Sequence, residues 1–66
     1  MKRDLSYYRN YLLGYLVEED DRRKDDSDFL DGRAEIAEQT FEDARRNGMT
    51  VDQAQELAMH VLMEDL

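Results

Sequence analysis

Leu5, Tyr8, Leu12 and Leu16 follow one another at spacings of three and four, with Tyr15 beside the last of them. That spacing lays an apolar stripe along one face of a helix, and Tyr11 and Leu13 widen it. The helix starts near Asp4, where Asp4 or Ser6 can accept a hydrogen bond from a free first-turn amide. Glu18/Arg22 and Glu19/Arg23 stand in the favourable order, acid four residues before base, and such bases suit a helix C-terminus. The pattern therefore predicts a first helix over about 4–22 and a turn at "KDDS". Ser27 then caps a second helix, with Asp28 and Asp31 in its first turn. Leu30, Ala34, Ala37, Phe41 and Ala44 carry that helix over about 28–47, and Phe29 and Ile36 broaden its stripe.

"NGMTVDQAQ" is the plainest punctuation. Asn47-Gly48 supplies the left-handed residue that commonly ends a helix, and Thr50 with Gln53 three residues on forms a capping box. Met49 and Ala54 have the spacing of a hydrophobic staple. A third helix over about 51–65 places Ala54, Leu57, Ala58, Val61 and Leu62 on one face, with Met59, Met63 and Leu66 off its centre. Proline is absent, glycine occurs only at 14, 32 and 48, and strand-type alternation is missing, so helix is the economical reading throughout. Gly14 falls inside the first helix at a cost of about 1 kcal/mol relative to alanine. It either lets another helix approach closely or marks a bend.

Composition narrows the picture. Sixty-six residues make one domain, which at this size buries only about 60% of the surface its unfolded chain exposes. Cysteine is absent, so no disulfide supplements the core. No apolar run follows "MKR" as a signal peptide requires, and no segment is long and apolar enough to span a membrane. A cytoplasmic protein is the resulting expectation. Seventeen acids against nine bases leave a formal charge of −8, which disfavours nucleic acid and anionic membrane as partners. The charge serves solubility or welcomes a basic partner; solubility is the preferred reading.

Candidate chemistry is sparse. The acid-rich stretch Glu18–Asp28 lacks the glycine and the spacing of a calcium loop. His60, the sole histidine, shares a column with Glu56 and Glu64, short of the three or four His or Cys ligands of a zinc site. Arg33, Arg45 and Arg46 are too dispersed among acids for a nucleic-acid patch. Met49, Met59 and Met63 either fill core gaps, the preferred reading, or make an adaptable binding surface. "TVDQAQ" opens its helix with acids that phosphates would repel. Ser6, Ser27, Thr40 and Thr50 have no base-and-orienter partners nearby, and no glycine-rich phosphate loop is present. Catalysis, cofactor, metal and small-molecule substrate are not expected. Tyrosine, however, is enriched where proteins meet. Tyr8 and Tyr15 suit a core, whereas Tyr7 and Tyr11, one turn apart, suit an intermolecular surface.

"LSYYRNYLLGYL", "SDFLDGRAEIAEQTFEDARRNGMT" and "AQELAMHVL", taken in order, resemble a family of uncharacterised small helical proteins of gut Bacteroidetes, often carried on conjugative transposons. The resemblance runs from about Leu5 to Leu62. Its shared residues are aromatic, small-apolar and capping types, so it implies a fold and supplies no active site. It also implies a bacterial cytoplasmic origin and an accessory role in the maintenance of a mobile element. Longer relatives continue into a second segment.

The expected fold is all-α: a three-helix bundle with two short turns, completed by dimerisation. Only about a dozen side chains larger than alanine face inward, fewer than comfortably stabilise a lone domain of this size. A homodimer, or a complex with another protein, would satisfy the surplus through helix one. Its seam is assigned to Tyr7, Tyr11, Leu13, Tyr15 and Leu16. The expected function is non-catalytic helix-face packing. The alternative is an acidic inhibitor, antitoxin or DNA mimic presenting Asp20, Asp21, Asp25, Asp26 and Asp28 to a basic nucleic-acid-binding protein.

Overall fold

The computed structural model describes residues 5–66, with side chains from Tyr7 onward. The caps proposed at Asp4 and Ser6 and the inward role of Leu5 lie outside that description. Three helices follow in order: α1 (Leu5–Glu18), α2 (Ser27–Arg46) and α3 (Val51–Leu62), with a 3₁₀ turn at Arg22–Asp25 between the first two. No strand occurs among the described residues. The molecule is an elongated slab of 37 × 21 × 14 Å.

The first connection corrects the sequence reading. α1 ends at Glu18, four residues before the expected Arg22, because Asp20 adopts the left-handed conformation with φ 52°. Its amide donates to the Val17 carbonyl at 3.1 Å, and the next amide, of Asp21, reaches back to Leu16 at 2.9 Å. These two bonds form a Schellman motif, which satisfies carbonyls that the last turn would otherwise leave open. Glu18/Arg22 and Glu19/Arg23 thus lose the helical register they need. Arg23 instead grips Asp21 at 2.7 Å, and Lys24 approaches Asp20 at 3.5 Å. The link between α1 and α2 is eight residues with its own 3₁₀ turn rather than a short turn.

The same motif ends α2, with Gly48 at φ 93°. The Gly48 amide donates to Arg45 at 3.1 Å and the Met49 amide to Ala44 at 3.0 Å. Glycine adopts this conformation without strain, whereas any residue with a Cβ is penalised. Asp20→Gly is therefore expected to raise stability by about 0.5–1 kcal/mol, read as a higher urea midpoint at unchanged slope. The Lys24 contact it removes is small by comparison, since Asp20 is almost fully exposed and such pairs contribute little.

Asp26, not Ser27, caps α2: its carboxylate accepts from the Phe29 amide at 3.1 Å. Ser27 is freed for another contact, accepting from Arg9 Nη2 at 3.1 Å while Arg9 Nε pairs with Asp31 at 2.6 Å. One arginine thereby ties the outer turns of α1 to the start of α2. The capping box at α3 forms as the sequence indicates, with both the Thr50 and Gln53 bonds at 3.1 Å.

α2 is the central element: α3 packs along it most extensively, α1 less so, and α1 barely meets α3. The side chains between them are Tyr8, Leu12, Leu16, Leu30 and Leu62 with the alanines 34, 37, 44, 54 and 58. Small side chains on α2 and α3 let two helix axes come close. Arg33 fastens the far end, donating to the carbonyls of Val61 at 3.2 Å and Glu64 at 2.8 Å. Its guanidinium and that of Arg23 both stack on the Phe29 ring, 5.2 and 5.3 Å from the centroid.

Candidate interaction surfaces

Helix α1 divides its four tyrosines by angle around the axis. Tyr8 is buried and its hydroxyl donates to Gln55 Oε1 on α3 at 3.0 Å. Burial, and secondarily the charge of Glu38, push that hydroxyl's pKa up. Tyr15 is half-buried against the core. Tyr7 and Tyr11 stand half in solvent, at 50% and 51% exposure, and Tyr7 meets Tyr8 edge-on with centroids 5.3 Å apart. Of the five residues assigned to a seam, these two are exposed, and Leu13 and Tyr15 present edges. Leu16 is a correction: it is fully buried between the helices, because it continues the Tyr8–Leu12 stripe that faces α2, and so cannot form an outer surface.

Beside Tyr11 lies an open hollow of about 320 Å³ lined by Asn10, Tyr11, Gly14, Tyr15 and Glu18. Gly14 forms its floor. A Cβ built there would meet nothing within 4 Å among the described residues, and α1 runs through it without a break. Neither a break in the helix nor a close approach by another described residue accounts for this glycine.

A second groove, about 730 Å³, runs along the outer side of α3 between Met49, Gln53, Glu56, Leu57, Met59 and His60. Leu57 was expected inside but is 40% exposed, as is Ile36 at 53%. At 100° per residue Ile36 lies 200° around from Ala34, on the far side of α2, a signal present in the sequence. Met59 and Met63 pack on the core, and Met49 lines the groove. Val17, at 56% exposed, completes the outer apolar positions of α1 and was not singled out from sequence.

The acidic connector is less open than its composition suggests. Asp21 is held by the Arg23 side chain and accepts its amide too, at 2.9 Å. Those two bonds lower its pKa from an ordinary 3.8 to about 2. Asp26 is occupied as a helix cap, while Asp20, Asp25 and Asp28 face solvent with Arg22, Arg23 and Lys24 interleaved. Because the folded-state pKa of Asp21 is depressed, its contribution to stability is complete above about pH 4. That contribution is lost as pH falls toward 2. Asp21→Asn should therefore lower the melting temperature at pH 7 and converge on the parent chain as pH drops from 4 to 2, which thermal melts across that range would show.

The three arginines weighed as a nucleic-acid patch are engaged in the fold: Arg33 on the Val61 carbonyl of α3, Arg45 on the Met49 carbonyl at 2.6 Å, Arg46 on Asp43 at 2.9 Å. Among the described residues no three His, Asp or Glu side chains converge as metal ligands would. No helix among them is long and apolar enough to cross a membrane.

No curated protein and no solved structure that was compared with the chain matches it. The match to the family model of the Domain of unknown function (DUF1896) covers residues 1–66, and the chain belongs to that family.

Proposed function

We propose that this is a non-catalytic protein that acts by packing its helix faces against other protein, self-association included, as a cytoplasmic accessory of a bacterial mobile element. One observation carries the packing role. Among the described residues, seven large apolar side chains are exposed (Tyr7, Tyr11, Val17, Ile36, Met49, Val51 and Leu57), against five apolar ones larger than alanine that are buried. Scattered exposed apolar residues are ordinary, but an excess over the core in so small a domain marks surface reserved for a partner. The mobile-element setting rests on the sequence resemblance alone.

Size exclusion coupled to light scattering, at several protein concentrations, tests self-association directly. The expected result is a species of about twice 7.9 kDa at high concentration and a melting temperature that rises with concentration. A monomer at every concentration, with a concentration-independent melt, would overturn it.

The reading as an acidic inhibitor or DNA mimic is the weaker one, since Asp21 and Asp26 are engaged within the fold and three bases interrupt the rest. Binding of a basic partner through Asp20, Asp25 and Asp28 would weaken steeply between low and moderate salt, whereas apolar packing would hardly respond.

A further inference from the structure

We propose that the outer face of α1 is the seam of an antiparallel homodimer, with Gly14 of one copy packed on Gly14 of the other and each Glu18 accepting a hydrogen bond from the opposite Asn10. The proposal rests on the self-association reading and names its surface and geometry.

Charge selects the face. Each copy carries −8, so two copies repel unless they meet where charge is low. α2 bears six acids and three bases, and α3 two acids with no lysine or arginine. α1 bears one of each, Arg9 and Glu18, and Arg9 is turned toward α2, bonded to Asp31 and Ser27. The outward surface of α1 is thus Tyr7, Asn10, Tyr11, Gly14 and Val17, uncharged until Glu18 at its end.

Glycine selects the centre. Gly14 weakens the helix relative to alanine, yet nothing among the described residues occupies the space above it. A second helix crossing there would use that space, because the absence of a side chain lets two backbones approach. Gly32 on α2 is the internal comparison. It too is exposed and open, but Asp28, Glu35 and Asp43 lie on the same outer side of that helix, so a second copy would be repelled.

The remaining charge selects the direction. Asn10 and Glu18 lie four residues to either side of Gly14 and line the same hollow. A parallel crossing sets Glu18 against Glu18. The antiparallel crossing sets each Glu18 against an Asn10 amide and Tyr11 against Val17. This two-fold arrangement is self-complementary, as an isologous interface must be. A face of fourteen residues is roughly 21 Å long, which places the contact among small, dissociable interfaces.

The chain has no cysteine, so single engineered thiols report proximity cleanly. Under mild oxidation, Gly14→Cys is expected to form a disulfide-linked dimer at least tenfold faster than Gly32→Cys. Mixing Asn10→Cys with Glu18→Cys chains should give the mixed dimer in preference to either homodimer. Gly14→Ala, which improves the isolated helix, should raise the melting temperature of dilute monomer while weakening dimerisation tenfold or more by light scattering. Equal cross-linking of the two glycine positions, or unchanged dimerisation of Gly14→Ala, would overturn the seam. If the parent chain still dimerised, self-association through another face would stand; a parent chain monomeric at every concentration would remove both.

Discussion

Leu16→Ala is expected to cost about 2–5 kcal/mol, the range for removing a fully buried leucine and leaving a cavity. A domain of this length has roughly 3–10 kcal/mol of stability in total, so the variant should be largely unfolded at physiological temperature. The cost is high here because Leu16, Leu12 and Leu62 are the largest fully buried side chains. They share one cluster with Tyr8, Leu30 and the alanines 34, 37 and 58, and an alanine has no side chain long enough to fill a gap. Val17→Ala, next to it in sequence but facing solvent in the monomer, should change the stability of dilute monomer by about 0.5 kcal/mol or less. Thermal melts followed by circular dichroism at 222 nm separate the two. At about 4–8 °C per kcal/mol for a domain this small, the variants should differ by ten degrees or more. Near-equal melting temperatures would mean that α1 is docked loosely enough for the site to collapse.

Ala58→Leu should destabilise although leucine is more apolar and forms helix almost as well. Ala58 is fully buried on the side of α3 that meets α2, opposite a helix whose own buried side chains there include Ala34 and Ala37. An isobutyl group at such a site forces the two axes apart or drives side chains off their rotamers, at about 1–3 kcal/mol. Urea unfolding reads the loss as a lower midpoint at unchanged slope. A midpoint equal to or above that of the parent chain would show that α2 and α3 have room between them, and that the alanines serve helix propensity rather than close approach. The charge consequences would be nil in either case, so the measurement isolates packing.

Both variants bear on how the surface is made. When the central helix contacts its neighbours largely through alanines, the larger side chains cannot all be accommodated. A self-associating α1 face is one way such a fold regains the apolar burial that its alanine-rich interior forgoes.

The boundary between α2 and α3 and the one between α1 and α2 are built on the same backbone motif, yet only one was legible. Gly48 announces a left-handed residue because glycine alone adopts it freely, and the capping box after it follows from residue types three apart. At the other boundary the left-handed residue is Asp20, and nothing in "VEEDDRR" distinguishes it from the acids beside it. Charge order argued for a longer helix, but favourable i,i+4 pairs are worth only about 0.2–0.5 kcal/mol each. Docking Leu16 against α2 outweighs that, since the chain must then turn at once to bring α2 alongside. The burial of Leu16 and the exposure of Ile36 were readable from their angles around their helices; the exposure of Leu57 was not, because it lies at the edge of its stripe.

From the sequence by itself came the helical class, three amphipathic segments, the caps at α3 and the division of the tyrosines into inward and outward pairs. Periodicity and capping are local, and they are encoded within a few residues. The tertiary structure alone decided where α1 stops, that Asp26 and not Ser27 caps α2, and that Arg9, Arg23 and Arg33 bind the fold together. It also decided that the space over Gly14 is empty. Each of these depends on which helices lie against one another, and that is settled by burial summed over the whole chain.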